Sequence, residues 1–306
     1  IMLKEDSQSL DEVVVVGYGT VRKADLAGSV AVLDNKAFKD QPITQVSDAL
    51  QGRVSGVQVQ SSGVPGGTAK IRVRGSGSIN RSNDPLYVID GIVRESGLTG
   101  LNPEDIQSMQ ILKDASSTAI YGSRGANGVV LITTKTGKAN VRQIMFDAQI
   151  GVGTVAKRYE TLNPHEFATL YNTYRKETFS QEQLSAFQNG TAGTDWLDEI
   201  FQNGITQDYK LTLSGGSDKI QYIVSGNYVG QEGVVKENTN KRYQARANIT
   251  SQLTDWLHMT ADVNVSHNVK KSADFSAAKS NIVNIAMNYA PVLGIMNDNG
   301  TYMRDP

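Results

Sequence analysis

From residue 142 onward the chain alternates apolar and polar residues in runs of about ten, and this limits its fold more than any other feature. Ile144, Phe146, Ala148, Ile150 and Val152 share one parity, and Gln143, Asp147 and Gln149 the other. Tyr209, Leu211 and Leu213 alternate with Lys210, Thr212 and Ser214. Ile220, Tyr222, Val224 and Tyr228 alternate with Gln221, Ser225 and Asn227, and Tyr243, Ala245, Ala247 and Ile249 with Gln244, Arg246, Asn248 and Thr250. Leu257, Met259, Ala261, Val263 and Val265 alternate with His258, Thr260, Asp262, Asn264 and Ser266. Five strands of this kind, apolar on one face only, read as part of a transmembrane β-barrel with a wet interior. The competing reading is a soluble β-rich binding or adhesion protein whose alternation is sandwich packing. Its inner face would carry more Phe, Leu and Ile than these strands do.

Short connections at 214–219 and 253–256 alternate with long ones at 155–207, 230–241 and from 270 onward. That order is expected when short turns face the periplasm and long loops face outside. The long loop 155–207 carries helix signals at Pro164, His165, Glu166 and Phe167, at 181–187 and at 195–201. Five strands cannot close, and an open edge in lipid leaves N–H and C=O groups unsatisfied. A plugged lumen goes with about 22 strands. The expectation is therefore the front part of a longer chain, ending in a polar loop at 303–306.

Ahead of the wall, residues 28–135 alternate short strands and short helices, an α+β pattern. Strands are expected at 29–33, 54–60, 69–74, 86–89, 106–112 and 129–134, and a helix at 46–51. Asp90 and Gly91 form a turn pair, and Asn102 and Pro103 open a helical turn. Residues 114–135 organise this part as a short helix, a glycine-rich turn with Gly122, Gly125 and Gly128, and a β-branched strand. The turn reads either as the approach to a buried strand or as a phosphate cradle. Helix–glycine–strand is the reverse of the order that aims amides at an anion.

Little chemistry is legible. The net charge of −1 gives no electrostatic case for nucleic acid or anionic lipid, and the absence of cysteine excludes thiol catalysis and Cys-ligated zinc. No run of about 18 apolar residues is present, and residues 1–6 lack the pattern of a signal peptide. His165, His258 and His267 are scattered, the last two read as facing a polar side, and no metal or cofactor is implied. The glycine loops at 63–70 and 75–78 fail the phosphate-loop pattern, Asp298 with Asn299 and Gly300 is a lone turn, and nothing supports an enzyme.

Residues 11–20, DEVVVVGYGT, read either as one more buried strand or as an extended peptide kept for another protein's sheet edge, with Asp11 and Glu12 holding it soluble. Here a resemblance adds to the residues. YGSRGANGVVLITTKTG, preceded by LNPEDIQSMQILKDASSTAIYG, resembles the plug domain of SusC/RagA-type TonB-dependent outer-membrane transporters. The similarity is dense over 11–138 and weaker up to 301. It implies the tail of a preceding domain and a linker at 1–10, a TonB box at 11–20, a plug at 21–138 and the N-terminal part of a barrel at 139–306. It implies that Asp11, Glu12, Val13, Val14, Val15, Val16, Gly17 and Tyr18 pair with the periplasmic domain of TonB. Arg74 and Arg124, with Arg53 as a third, structural one, would hold the plug through carboxylates of the barrel wall expected beyond residue 306. Arg81, Asn83 and Asp84 are the implied substrate contacts. The resemblance further implies import of oligosaccharides or peptides across the outer membrane, with a SusD-like surface lipoprotein as lid.

Overall fold

A computed structural model describes residues 13–16, 19–22, 30–34, 43–75, 77–80, 82–175, 178–273, 281–297 and 300–303. The valine run forms β1 (Val13–Val16), which pairs antiparallel with β2 (Gly19–Arg22), Val14 opposite Val21. These two make a separate two-stranded sheet, so among the described residues β1 is not a strand of the plug core. The hairpin partner β2, GTVR, carries no apolar run that would announce a strand.

The plug core is built on β3 (Val30–Asp34), β4 (Val57–Gln60), β5 (Lys70–Val73), β6 (Leu86–Ile89), β7 (Ile92–Arg94), β8 (Ile106–Leu112) and β9 (Val129–Thr134). β4 and β5 form a hairpin sheet, and the others order as β3-β8-β9-β6-β7 with only the β6–β9 pair parallel among described residues. β8 and β9 are central and largely buried, which is why β9 runs apolar through residues 129–132 and β8 keeps Met109, Ile111 and Leu112 inside without strict alternation. Met109, Ile111, Val130 and Ile132 pack with Leu50 and Ile71 on one face, while Leu112, Val129 and Leu131 pack with Val88 on the other. The expected helix at 46–51 contracts to a 3-10 turn over Asp48–Leu50. Its small apolar side chains serve the core rather than a helical face.

The organising stretch is α1 (Ala115–Thr118) continued by 3-10 turns over Ala119–Gly125, broken at Gly122 with φ 59°. A Cβ at Gly125 would sit 3.0 Å from the Thr118 carbonyl, so the glycines there serve tight chain packing ahead of β9. Asp90 fastens the end of β9, accepting from Thr134 N at 2.8 Å and from Thr134 Oγ1 at 2.6 Å.

The wall begins with β10 (Gln143–Gly153). It continues after α2 (Pro164–Tyr174), α3 (Gln181–Gln188) and α4 (Trp196–Ile200) as β11 (Gly204–Gly216), β12 (Ile220–Glu232), β13 (Thr239–Gln252) and β14 (His258–Lys271), with α5 (Ile282–Asn288) beyond. The order β10-β11-β12-β13-β14 is antiparallel throughout. The strands run 11 to 14 residues, longer than expected, because polar segments such as 204–208 and 239–242 extend the ladder past the apolar band. The outer loop accordingly ends before Gly204, not at Gln207. Its helices start as read, with capping boxes at Asn163/Glu166 and Ser180/Gln183 and an Asp195 cap.

One face of the wall is exposed and apolar, with Ile144, Phe146, Leu211, Val224, Ile249 and Val263 uncovered. In register across this face lie Tyr209, Tyr228, Tyr243 and His267. Tyr209 and Tyr228 are stacked with centroids 6.4 Å apart, and Tyr228 and Tyr243 lie 5.1 Å apart. Trp256, 81% exposed, stands in the short turn at the other end. From Met259 to His267 the strand advances about 27 Å, or about 20 Å along the normal at a tilt of ~40°. That is the height of a hydrocarbon band with aromatic borders. His267 thus belongs to the outer aromatic row. The expectation that it faces a polar side is corrected by its parity with Val263 and Val265 and its pairing with Tyr243.

A candidate functional site between plug and wall

The opposite face of the wall carries Lys210, Thr212, Ser225, Asn227, Gln244, Arg246 and Asn248, all buried against the plug. Asn102 sets the first contact. Its side chain accepts from Glu104 N at 2.9 Å, and Pro103 fits the first position of the 3-10 turn Pro103–Asp105. This turn presents Asp105 to β11, where Lys210 Nζ donates to Asp105 Oδ1 at 2.7 Å, and both side chains are 4% exposed. Glu104 Oε2 lies 3.6 Å from the same ammonium, and Ser225 Oγ approaches Asp105 at 3.5 Å. Burial pushes the Glu104 carboxyl above the usual range, against the opposing pull of Lys210. Burial, reinforced by Lys210, pushes the Lys135 ammonium down.

A second contact joins β13 to the end of β9. Arg246, 3% exposed, donates from Nη2 to Thr134 Oγ1 at 2.5 Å and to Asp262 Oδ2 at 2.6 Å, and from Nη1 to the Lys135 carbonyl at 3.0 Å. Asn264 donates to the Gly100 carbonyl at 3.1 Å and Gln231 to Thr44 Oγ1 at 2.8 Å, tying two more plug loops to the wall. At the plug's exit a Cβ on Gly137 would lie 2.4 Å from Tyr222 N, so the linker rests directly on the strand backbone. Asn140 then donates to Asp218 at 2.9 Å, pinning the linker to the short β11–β12 turn.

Between plug and wall an open cleft of about 610 Å³ is bordered by plug residues such as Asp84, Tyr87 and Arg94 and by Gln231, Asn240, Arg242, Ser266 and Asn268 of the wall. These wall residues sit near the ends of β12, β13 and β14 that carry the longer connections, the side read as outward. Burial, with the nearby Asp84 carboxylate, pushes the Tyr87 phenol far above its ordinary value, so it stays a neutral hydroxyl.

The expected site residues fall unevenly on this arrangement. Asp11, Glu12, Gly17, Tyr18 and Arg81 lie outside the described residues. Asp84 is exposed, borders the cleft, and accepts from Ser82 Oγ at 2.7 Å. Asn83 instead staples its own loop, accepting from Ser78 N at 2.8 Å and donating to Ser78 O at 2.7 Å. Arg53 donates to the Ala49 carbonyl at 2.8 Å within the plug. Arg74, at φ 59°, pairs with Asp114 of the plug itself, and Arg124 is exposed on its 3-10 turn. The fastening seen here runs with opposite polarity: plug carboxylates and carbonyls meet wall cations. Lys210 and Arg246 were read only as polar alternates, and their signal was a charge on an inward parity in mid-strand.

An α+β body fastened inside an antiparallel wall whose other face is apolar defines a plugged outer-membrane β-barrel. That apolar face is exposed along all five strands. Residues 22–129 match the TonB-dependent Receptor Plug Domain. The chain is 38% identical to TonB-dependent receptor P3 of Formosa agariphila over 99% of its own length and 30% of the relative's. It is 38% identical to TonB-dependent receptor SusC of Bacteroides thetaiotaomicron over 91% of its length and 28% of that protein. Among solved structures it is similar to the RagAB peptide importer in the open-open state, with TM-score 0.81, 29% identity, and coverage of 95% of this chain and 36% of that one. The chain belongs to the SusC/RagA-like TonB-dependent receptors, outer-membrane barrels with an internal plug, and spans about a third of the length of these relatives.

Proposed function

We propose that the protein imports oligosaccharides, or peptides, across the outer membrane. In this reading the periplasmic domain of TonB supplies the pull through residues 11–18, and a SusD-like surface lipoprotein closes the outer side. The observation that carries it is the seam itself. The plug blocks the wall's inward face, yet it is held by a limited set of polar contacts around Lys210–Asp105 and Arg246–Thr134, and an open cleft lies on the side away from the linker. Such a plug has to be displaced for solute to pass, which requires work from outside the chain. The names of the relatives agree with this: one is a SusC and another a peptide importer. Proline at Asn102–Pro103 and the buried β8–β9 pair give the plug a rigid half against which a pull at β1 can act.

The test is accumulation of labelled oligosaccharides and peptides by cells carrying the full-length receptor. Uptake that stops with an uncoupler or on loss of TonB, while surface binding persists, is the expected result. Uptake indifferent to both would refute energised import.

A further inference from the structure

We propose that the outward cleft is a binding site for an acidic sugar residue, with Arg242 taking its carboxylate and Asn240 one of its hydroxyls; the inference rests on the importer reading above. Arg242 Nε and Nη2 are buried and have no hydrogen-bond partner among the described residues. These two nitrogens form one edge of the guanidinium, the fork that matches both oxygens of a carboxylate. Asp208, in the same cross-strand row through Val229, acts on Arg242 by charge, as does Asp105, but neither accepts from Nε or Nη2. The Asp208 Oδ1 is already taken by Asn227 Nδ2 at 2.5 Å.

The Asp208 and Asp105 carboxylates balance the charge of Arg242 without bonding to this edge, so at a residue that borders the cleft the fork keeps its donors for a ligand. Asn240 precedes Arg242 by two residues on β13 and so shares its face. It is 4% exposed, spends its Nδ2 on Gln231 Oε1 at 3.2 Å, and leaves Oδ1 buried and unpartnered. A donor fork beside a free acceptor suits a carboxylate flanked by a hydroxyl, the arrangement of a uronic acid. Charge in the cleft agrees, since Lys70, Arg94 and Arg242 face Asp84 and Glu95. The wall side of the cleft offers amides and hydroxyls, Gln231, Ser266 and Asn268, for a sugar's hydroxyls, and the plug side adds Leu86, Tyr87 and Leu98, against which a ring face can pack.

Calorimetry on the full-length receptor in detergent tests this with tetramers of glucuronate, galacturonate and mannuronate, their carboxyl-reduced counterparts, and triglutamate. At least one uronate tetramer is expected to bind at least about tenfold more tightly than its reduced form. In Arg242→Gln, with heat-modifiable mobility confirming a folded barrel, that preference is expected to vanish. No uronate binding, equal binding of the reduced forms, or an unchanged preference in Arg242→Gln overturns the proposal. So does Arg242-dependent binding confined to triglutamate, which transfers the site to peptides. Uptake by wild-type cells separates the two levels. Accumulation of neutral oligomers alone overturns the acidic-sugar site and leaves import standing, whereas accumulation of neither oligosaccharides nor peptides overturns import itself.

Discussion

Lys210→Met is expected to destabilise the seated plug by about 3–5 kcal/mol, because it strands a buried carboxylate. Asp105 is 4% exposed and its Oδ1 keeps only Ser225 Oγ, at 3.5 Å, once the ammonium is gone. Water cannot readily take the place of the ammonium at a seam closed by Thr212, Asn227 and Arg246, all buried. The double variant Asp105→Leu/Lys210→Met removes both charges and is expected to recover most of the loss, since a buried pair contributes little net stability relative to apolar replacements. Hydrogen exchange of the β8 amides reads the effect, as this strand starts at Asp105's own turn. The half-exposed pair Arg158–Asp198, 2.8 Å apart in the outer loop, is the contrast, with an expected cost of about 0–1 kcal/mol. Equal effects at the two pairs would mean that the seam is wet and weak.

Val14→Pro is expected to reduce uptake to background while the plug stays folded and substrate binding is kept. A pull carried by strand pairing depends on backbone N–H groups, and proline removes one in the middle of β1. The hairpin of β1 and β2 is a sheet apart from the plug core, so the lesion does not enter the packing around β8 and β9. Val14→Thr keeps both the N–H and a β-branched side chain and is expected to transport normally. Normal uptake in the proline variant would remove residues 11–18 from the coupling path.

Most of the architecture is legible because both halves obey local rules. Parity along 143–152 and 209–214 names the lipid face of each strand, and Asn102 with Pro103 announces the turn that places Asp105. β6 and β8 fall where expected, at Leu86–Ile89 and Ile106–Leu112, because each is bounded by a turn signal, Asp90 with Gly91 after β6 and Asn102 with Pro103 before β8. β7, Ile92–Arg94, escapes notice because three residues carry no period. The ends of β11 and β13 escape because they leave the apolar band and keep only backbone pairing. The seam is less legible for a different reason. Parity says that Lys210 points inward but cannot name Asp105, which is 105 residues away in the chain. Arg53 and Arg74, singled out by resemblance, bond to Ala49 and Asp114 of the plug, contacts that no local pattern names.

The plug's displacement during transport is the central claim, and a reversible cross-link tests it most directly. The chain has no cysteine, so a new pair forms without competitors within it. A Cβ at Gly100 would lie 3.7 Å from Ser266 Cβ, within the range that a disulfide spans, although the φ of 73° at Gly100 adds some strain. In Gly100→Cys/Ser266→Cys, oxidation is expected to hold the plug to β14 and stop uptake, and a reductant is expected to restore it. Undiminished uptake by the oxidised, fully cross-linked receptor would contradict a plug that must leave this part of the wall.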